Sequence, residues 1–148
     1  SYPALEVAIS SSEKSPQALL RAVIAIRKAK LPDPAAQPNV GSYFKNPIVT
    51  PEKADALGAR YPNLPQYSAR GGAVKLSAAW MIDHLGWRGK GGHGVLVAKE
   101  HALVVINKSA KYASQIIEFT GEVSRSVEAE FGVALEREPQ VLGSDTPV

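Results

Sequence analysis

Two prolines two positions apart, Pro32 and Pro34, divide this chain of 148 residues into a short first part and a longer second part. A proline disfavours helix at the residue before it, so a helix arriving from upstream ends within residues 31–34. That helix has a clear start, because Ser15 is a suitable N-cap and Pro16 suits the first helical position. The polar, proline-containing stretch that follows predicts a linker, and we place a domain boundary after residue 36.

Periodicity and turn residues predict an α+β fold, a small, mostly antiparallel sheet covered by helices. Besides the helix from Pro16, the predicted elements are a strand at 5–10, a strand at 41–49, a helix at 51–57, a long loop at 61–72, a helix at 78–85, a hairpin of 95–98 with 102–106, a helix at Ala113–Phe131, and a short final strand that includes Leu135 and Val141. A long loop without secondary structure of its own is often functional.

Composition argues against several kinds of site and partner. The chain has no Cys, so disulfides and thiolate metal sites are excluded, and its three histidines lack metal-site spacing. No apolar run approaches the roughly 20 residues of a membrane helix, and no basic-then-apolar signal is visible at the start. The net charge is +3, but basic residues are scattered among acidic ones. We therefore expect no metal, membrane or nucleic acid as partner, and a cytoplasmic location.

The common catalytic motifs are missing from the sequence. Residues 89–94 are rich in glycine but lack the spacing of a nucleotide-phosphate loop, so they predict a tight, crowded turn. No Gly-x-Gly-x-x-Gly opens a helix, which argues against a dinucleotide-binding fold in this stretch. Ser42 is not in a Gly-x-Ser-x-Gly elbow, so generic motifs do not favour it as a nucleophile.

Five stretches, read together and in order, carry a resemblance. They are residues 30–34 (Lys-Leu-Pro-Asp-Pro), 41–47 (Gly-Ser-Tyr-Phe-Lys-Asn-Pro), 74–83 (Val-Lys-Leu-Ser-Ala-Ala-Trp-Met-Ile-Asp), 102–107 (Ala-Leu-Val-Val-Ile-Asn) and 135–138 (Leu-Glu-Arg-Glu) with Gly143. Their order and spacing resemble the signatures of the UDP-N-acetylenolpyruvoylglucosamine reductases, and they cover nearly the whole chain. The resemblance is to the C-terminal, substrate-binding portion of that family.

The resemblance implies a reaction and its cofactors. In this family NADPH reduces bound FAD, and the flavin passes a hydride to the enolpyruvyl ether of UDP-N-acetylglucosamine enolpyruvate. The enolate that results must be stabilised and protonated. By motif position Ser42 resembles the proton donor, and Glu138 resembles the second catalytic group. A nearby cation, either Lys45 or a residue outside this chain, is expected to help Ser42. Glu136 is a competitor for that role, and Arg137 between them faces the other way if the segment is extended.

The resemblance also implies contacts to the nucleotide-sugar, which needs cations and amide donors. Lys30 and Asn46 resemble contacts to the diphosphate, and Tyr67 resembles an aromatic contact to the same region. Lys45 is also expected to bind substrate. Lys75 is either a ligand group or a solvated charge.

Three further positions depart from the family pattern. Arg88 stands where relatives have a Lys that contacts the nucleotide, and His101 stands where some relatives have Gln. Tyr2 resembles the tyrosine of a loop that closes over substrate in one subgroup, although Pro3 replaces a Gly that relatives often have. The alternative for Tyr2 is a terminal aromatic residue without a role.

The resemblance implies a flavin-binding domain ahead of this stretch. Residues 1–36, a strand and the helix that bears Arg27, then resemble only its tail, and Arg27 is a weak cofactor-side candidate. Residues 37–134 form the substrate-binding domain, and residues 135–148 carry the catalytic carboxylate. We expect the chain alone to be a monomer that binds little FAD and does not turn over. In this interpretation the chain is one part of an oxidoreductase. The alternative is that it acts only as a UDP-sugar binding module without catalytic activity.

Overall fold

The computed structural model describes residues 15–30 and 33–142, and within these ranges it is an α+β structure. In chain order its elements are α1 (Pro16–Lys30), β1 (Asn39–Ser42), β2 (Ile48–Val49), α2 (Pro51–Arg60), β3 (Gln66–Ser68), a 3₁₀ turn (Arg70–Gly72), β4 (Val74–Leu76), α3 (Ala78–His84), β5 (Gly91–Gly92), β6 (Val95–Val97), β7 (Val104–Asn107) and α4 (Ala113–Phe131). The strand expected at 5–10 lies outside the described residues. No helix in the described ranges is long and apolar enough to span a bilayer.

The strands form two small antiparallel sheets, which confirms the predicted fold class. Sheet one has the order β1-β7-β6-β5 and sheet two the order β2-β4-β3. The single strand expected at 41–49 was therefore wrong, because its two ends belong to different sheets. Gly41, with φ of 80°, lies at an irregularity in the pairing of β1 with β7, and the chain leaves that sheet after Ser42.

The stretch 61–72 was predicted as a loop and is instead partly ordered, with strand β3 and the 3₁₀ turn. In β3, Gln66 pairs with Leu76 and Tyr67 with Lys75 of β4. All three residues of β3 are exposed, so the strand carries no alternation of apolar and polar residues. Pairing with β4 rather than burial produces it, and sequence periodicity cannot reveal such a strand.

The helix starts follow from capping residues, as expected. The Ser15 Oγ accepts from the backbone N–H of Ala18 at 3.1 Å, and the Thr50 Oγ1 accepts from that of Lys53 at 3.3 Å. Helix α2 ends at Arg60, three residues beyond the predicted Leu57, because Gly58 does not interrupt it. A glycine inside a helix costs only about 1 kcal/mol, less than the buried face of α2 contributes.

The core lies between α4 and the sheets. Helix α4 has the predicted bounds, and it presents a buried stripe of Phe119, Val123, Val127 and Phe131 before Gly132 ends it with φ of 62°. The hairpin of β6 and β7 was predicted to within two residues. The turn before it is crowded as expected, since a Cβ on Gly91 would lie 2.6 Å from the carbonyl oxygen of Val95.

Candidate active site

The C-terminal segment returns to the residues that follow β1. The backbone N–H of Glu138 donates to the carbonyl oxygen of Tyr43 at 2.9 Å, and the N–H of Lys45 donates to that of Glu136 at 2.9 Å. Phe44 and Arg137 form the antiparallel bridge between these two bonds. The final strand expected around Leu135 and Val141 is therefore reduced to this one bridge, since Pro139 has no N–H to continue a ladder.

This pairing places Ser42 and Glu138 in one open depression of about 400 Å³, which Val40 and Pro139 complete. Ser42 is half-buried and Glu138 is exposed. A hydroxyl group and a carboxyl group thus line the same space, although Ser42 and Glu138 lie 96 positions apart in the chain (138 − 42). Such a pair is suited to stabilising and protonating a carbanion-like species.

Side chains alternate along the C-terminal segment and separate its two carboxylates. Leu135 is buried, Glu136 is exposed, Arg137 is half-buried and Glu138 is exposed. The Glu136 carboxylate forms an ion pair with Lys45, whereas Glu138 lines the depression with Ser42. Arg137 faces inward, and its Nη1 is buried without a hydrogen-bond partner.

Lys45 was expected to assist Ser42, and the structure instead pairs its ammonium group with Glu136. The side chains of Lys45 and Glu136 are 49% and 70% exposed, so water screens this ion pair and it contributes less than about 1 kcal/mol. This ion pair thus holds the Lys45 side chain only weakly.

Three of the predicted nucleotide-sugar contacts lie on or beside sheet two. Tyr67 and Lys75 are direct cross-strand partners in β3 and β4, and both are exposed. The Asn46 Oδ1 accepts from the backbone N–H of Ala78 at 2.9 Å, at the start of α3. That bond orients the Asn46 side chain and leaves its amide group as the donor end.

Arg88 and His101 lie together in a second depression of about 190 Å³, which Trp80, Asp83 and Glu100 also line. The Arg88 guanidinium donates through Nε to the carbonyl oxygen of Lys99 at 2.9 Å and through Nη1 to Asp83 Oδ2 at 3.1 Å. The His101 Nδ1 accepts from the backbone N–H of Leu103 at 3.2 Å. A neutral His101 therefore carries its proton on Nε2.

Three predicted residues cannot be placed in a site. Tyr2 lies outside the described residues. Arg27 and Lys30 belong to α1, but their side chains are outside the described part of the structure. The described residues also hold no group of three or more His, Cys, Asp or Glu side chains that could bind a metal ion.

Sequence reasoning missed a buried contact made by Tyr43, the residue after Ser42. The hydroxyl oxygens of Tyr43 and Thr120 lie 3.1 Å apart, and both side chains are buried. Thr120 falls on the apolar stripe of α4, four positions after Ile116 and three before Val123. A hydroxyl within a buried stripe needs a partner, and that signal was present in the sequence.

Comparisons with known proteins show the family to which the chain is similar. The sequence matches the family described as UDP-N-acetylenolpyruvoylglucosamine reductase, C-terminal domain, over residues 33–142. It is 39% identical over 136 residues to the UDP-N-acetylenolpyruvoylglucosamine reductase of Paraburkholderia phymatum, covering 92% of this chain and 39% of that protein. It is 44% identical over 128 residues to the one of Chromobacterium violaceum, covering 86% and 38%.

Among solved structures, the UDP-N-acetylenolpyruvylglucosamine reductase of Thermus caldophilus is similar, with a TM-score of 0.47 and 22% identity over 86% of this chain and 36% of that one. The chain spans about two fifths of the length of the curated relatives it matches. With the family model matched over most of its length, the chain belongs to the family of UDP-N-acetylenolpyruvoylglucosamine reductase C-terminal domains.

Proposed function

We propose that this chain is the substrate-binding portion of a cytoplasmic bacterial enzyme that reduces UDP-N-acetylglucosamine enolpyruvate to UDP-N-acetylmuramate, a precursor of peptidoglycan. The single observation that carries the proposal is the shared depression of Ser42 and Glu138 in a chain of this family. Reduction of an enol ether needs a hydride and a proton, and the residues of this chain bear on the proton.

Ser42 is the proposed proton donor. Hydride addition to the vinyl group leaves negative charge on the neighbouring carbon and on the carboxylate attached to it, so a donor must lie beside that carbon. The Ser42 hydroxyl faces an open depression wide enough for such a group. Glu138, across the same depression, is proposed to polarise the enolate or to protonate it. The pairing of Glu136 with Lys45 favours Glu138 over Glu136 for this role.

The nucleotide end of the substrate is proposed to bind away from Ser42. Lys75, Tyr67 and the amide of Asn46 offer a cation, an aromatic ring and a donor for the diphosphate and its neighbours. Arg88 offers a planar cation in the second depression, which His101 also lines. Tyr2 and Lys30 remain proposed contacts on motif position alone.

The glycine-rich turn does not fit the pyrophosphate of FAD. The turn is packed against its own chain, because a Cβ on Gly94 would lie 2.7 Å from the backbone nitrogen of Ala110. Strand β6 follows the turn, so the turn offers no helix N-terminus to a pyrophosphate. We propose that FAD, and NADPH as the reductant, are bound by a flavin-binding portion of a longer enzyme, with Arg27 at most at its margin. No part of the reaction is assigned to FAD in this chain.

Calorimetric titration of the chain with UDP-N-acetylglucosamine tests the proposal. We expect saturable heat, and we expect Arg88→Met to weaken it while Arg60→Met does not. Arg60 is a matched control, because it also forms an exposed ion pair, with Glu130 at 2.8 Å, but lines neither depression. Absence of heat at millimolar ligand would contradict the proposal.

A second candidate, favoured by the poor fit to FAD, is a UDP-sugar binding module that is catalytically silent and monomeric by itself. The chain is incubated with FAD, desalted, and tested for flavin absorbance and for NADPH oxidation in the presence of UDP-N-acetylglucosamine enolpyruvate. Ligand binding without bound flavin or turnover is expected of both candidates, so a separately produced flavin-binding portion is then added. Turnover in that mixture favours the part of an oxidoreductase, and its absence favours the silent module. A stoichiometric flavin spectrum would reject it.

A further inference from the structure

Tyr43 connects three parts of the chain next to Ser42. Its backbone N–H donates to the carbonyl oxygen of Leu103 at 2.8 Å, and its own carbonyl oxygen accepts from the N–H of Glu138 at 2.9 Å. The residue between Ser42 and Phe44 therefore also holds the segment that carries Glu138. Any shift of Tyr43 moves Ser42 through the covalent chain and Glu138 through this hydrogen bond.

The side chain of Tyr43 ends in the core, where its hydroxyl meets Thr120. The two residues are 5% and 2% exposed, and Thr120 is the one polar residue classed as buried in the described part of the chain. The Thr120 Oγ1 lies 2.7 Å from the carbonyl oxygen of Ile116 and 3.2 Å from that of Ile117. Its single hydrogen belongs to the shorter contact, so the Tyr43 hydroxyl donates to Thr120 Oγ1 at 3.1 Å.

The Tyr43 ring is buried in the hydrophobic core. One side of the ring contacts Phe44 edge-on, with centroids 5.1 Å apart. The ring also borders an open, largely apolar depression of about 310 Å³ that Val105 and Ile116 help to line. Apolar packing is not directional, so it specifies the rotation of a side chain less sharply than a hydrogen bond does. The hydrogen bond to Thr120 is the directional contact that the structure provides.

Stability does not require this pair of hydroxyls. Replacing both partners of a buried hydrogen bond by apolar groups of the same shape is close to neutral for stability, whereas removing one partner leaves the other unsatisfied. Phe and Val would fill the same space as Tyr43 and Thr120. What the hydrogen bond specifies is therefore the depth and rotation of the Tyr43 side chain. Through Tyr43 it specifies the positions of Ser42 and Glu138.

We propose that Tyr43 and Thr120 are positioning residues that set the geometry between the Ser42 hydroxyl and the Glu138 carboxyl group. Neither residue lines the depression that Ser42 and Glu138 share, so they act through the backbone and do not touch a ligand there. The inference rests on the proposed function for its effect on ligand binding. Its effect on the Glu138 backbone is independent of any ligand.

The test compares Thr120→Val, which removes the hydroxyl at similar shape, with Thr120→Ser, which keeps it. In the full chain we expect Thr120→Val to weaken binding of UDP-N-acetylglucosamine enolpyruvate about tenfold and to leave binding of UDP unchanged. We expect the Glu138 amide hydrogen to exchange about tenfold faster. Thr120→Ser should restore both values, even if the lost methyl group lowers its melting temperature.

The double variant Tyr43→Phe with Thr120→Val separates positioning from stability. Because both hydroxyls are gone, its melting temperature should return close to that of the unaltered chain. Fast exchange at Glu138 and weak binding of the enolpyruvate ligand should persist. Recovery of exchange and binding together with the melting temperature would overturn the inference, as would equal losses for UDP and the enolpyruvate ligand.

If the unaltered chain binds neither ligand, the proposed function fails and the positioning inference is judged on exchange alone. Faster exchange of the Glu138 amide in Thr120→Val but not in Thr120→Ser then supports it. Unchanged exchange in Thr120→Val overturns it. The failure of the proposed function and the failure of this inference thus give different results.

Discussion

The backbone N–H of Glu138 donates to the carbonyl oxygen of Tyr43 at 2.9 Å, one residue after Ser42. This bond and the bridge of Phe44 and Arg137 pair the residues after β1 with a segment near the end of the described residues. The side-chain carboxyl group of Glu138 is thereby placed in a depression beside β1, an edge strand of sheet one. Glu136, two residues earlier, pairs with Lys45, so the segment offers one carboxylate to the depression and one to Lys45.

Replacing Glu138 should affect turnover far more than replacing Glu136. In an enzyme that contains this chain and a flavin-binding portion, we expect Glu138→Gln to lower kcat about 10²- to 10⁴-fold, because a general acid or electrostatic group is lost. Glu136→Gln removes only an exposed ion pair with Lys45, so kcat should change about fivefold or less. Steady-state kinetics measures both, and equal losses would contradict the assignment.

Changing Arg88 should separate charge from geometry in nucleotide binding. Arg88→Met is expected to weaken UDP binding about tenfold, because a charged donor in the second depression is removed. Arg88→Lys keeps the charge but cannot contact Lys99 and Asp83 at once through a planar fork. Its affinity for UDP should therefore lie between those of the unaltered chain and Arg88→Met. Titration calorimetry with UDP gives the ranking, and Arg88→Lys equal to Arg88→Met would show that charge is unimportant.

Two glycines with nearly equal φ angles offer a matched test of crowding in the glycine-rich turn. Gly94 has φ of 77° and Gly72 has φ of 78°, so alanine at either position carries a conformational cost of about 1 kcal/mol. A Cβ at Gly94 would also lie 2.7 Å from the nitrogen of Ala110, whereas nothing lies within 4 Å of one at Gly72. We expect Gly94→Ala to lose about 1–3 kcal/mol more than Gly72→Ala in denaturant unfolding. Equal losses would refute the crowded turn.

Tyr61 should make the fold sensitive to alkaline pH. Burial, and then its hydrogen bond to Glu130, raise the pKa of the Tyr61 hydroxyl above its ordinary value of 10.0. A group with a raised folded-state pKa stabilises the fold fully below pH 10.0 and loses that contribution as pH rises through the raised pKa. Tyr61→Phe should therefore lose less free energy of unfolding than the unaltered chain above pH 10.0.

Denaturant unfolding of both proteins below and above that pH measures the difference. The other titrating groups are shared by the two proteins, so their contributions cancel in the comparison. Parallel pH profiles for Tyr61→Phe and the unaltered chain would contradict this prediction.

Structural features that depend on neighbouring residues could be predicted from the sequence. Periodicity and capping rules predicted the features that depend on contacts within a few residues. These are the caps at Ser15, Thr50 and Ser77, the apolar stripe of Ala113–Phe131 and the hairpin before it. The ordered motifs around Ser42 and Glu138 predicted the family, which the family model matched.

By itself, then, the sequence determined the helices, the turn chemistry and the family. Only the tertiary structure decided that residues 41–49 divide between two sheets, that exposed β3 exists, that Glu136 pairs with Lys45, and that Tyr43 bonds to Thr120. Each of these depends on a partner far away in the chain, whereas sequence patterns report only on neighbours within a few turns. Ser42 and Glu138 could be named from their motifs, but their shared depression comes from the hydrogen bond between Tyr43 and Glu138.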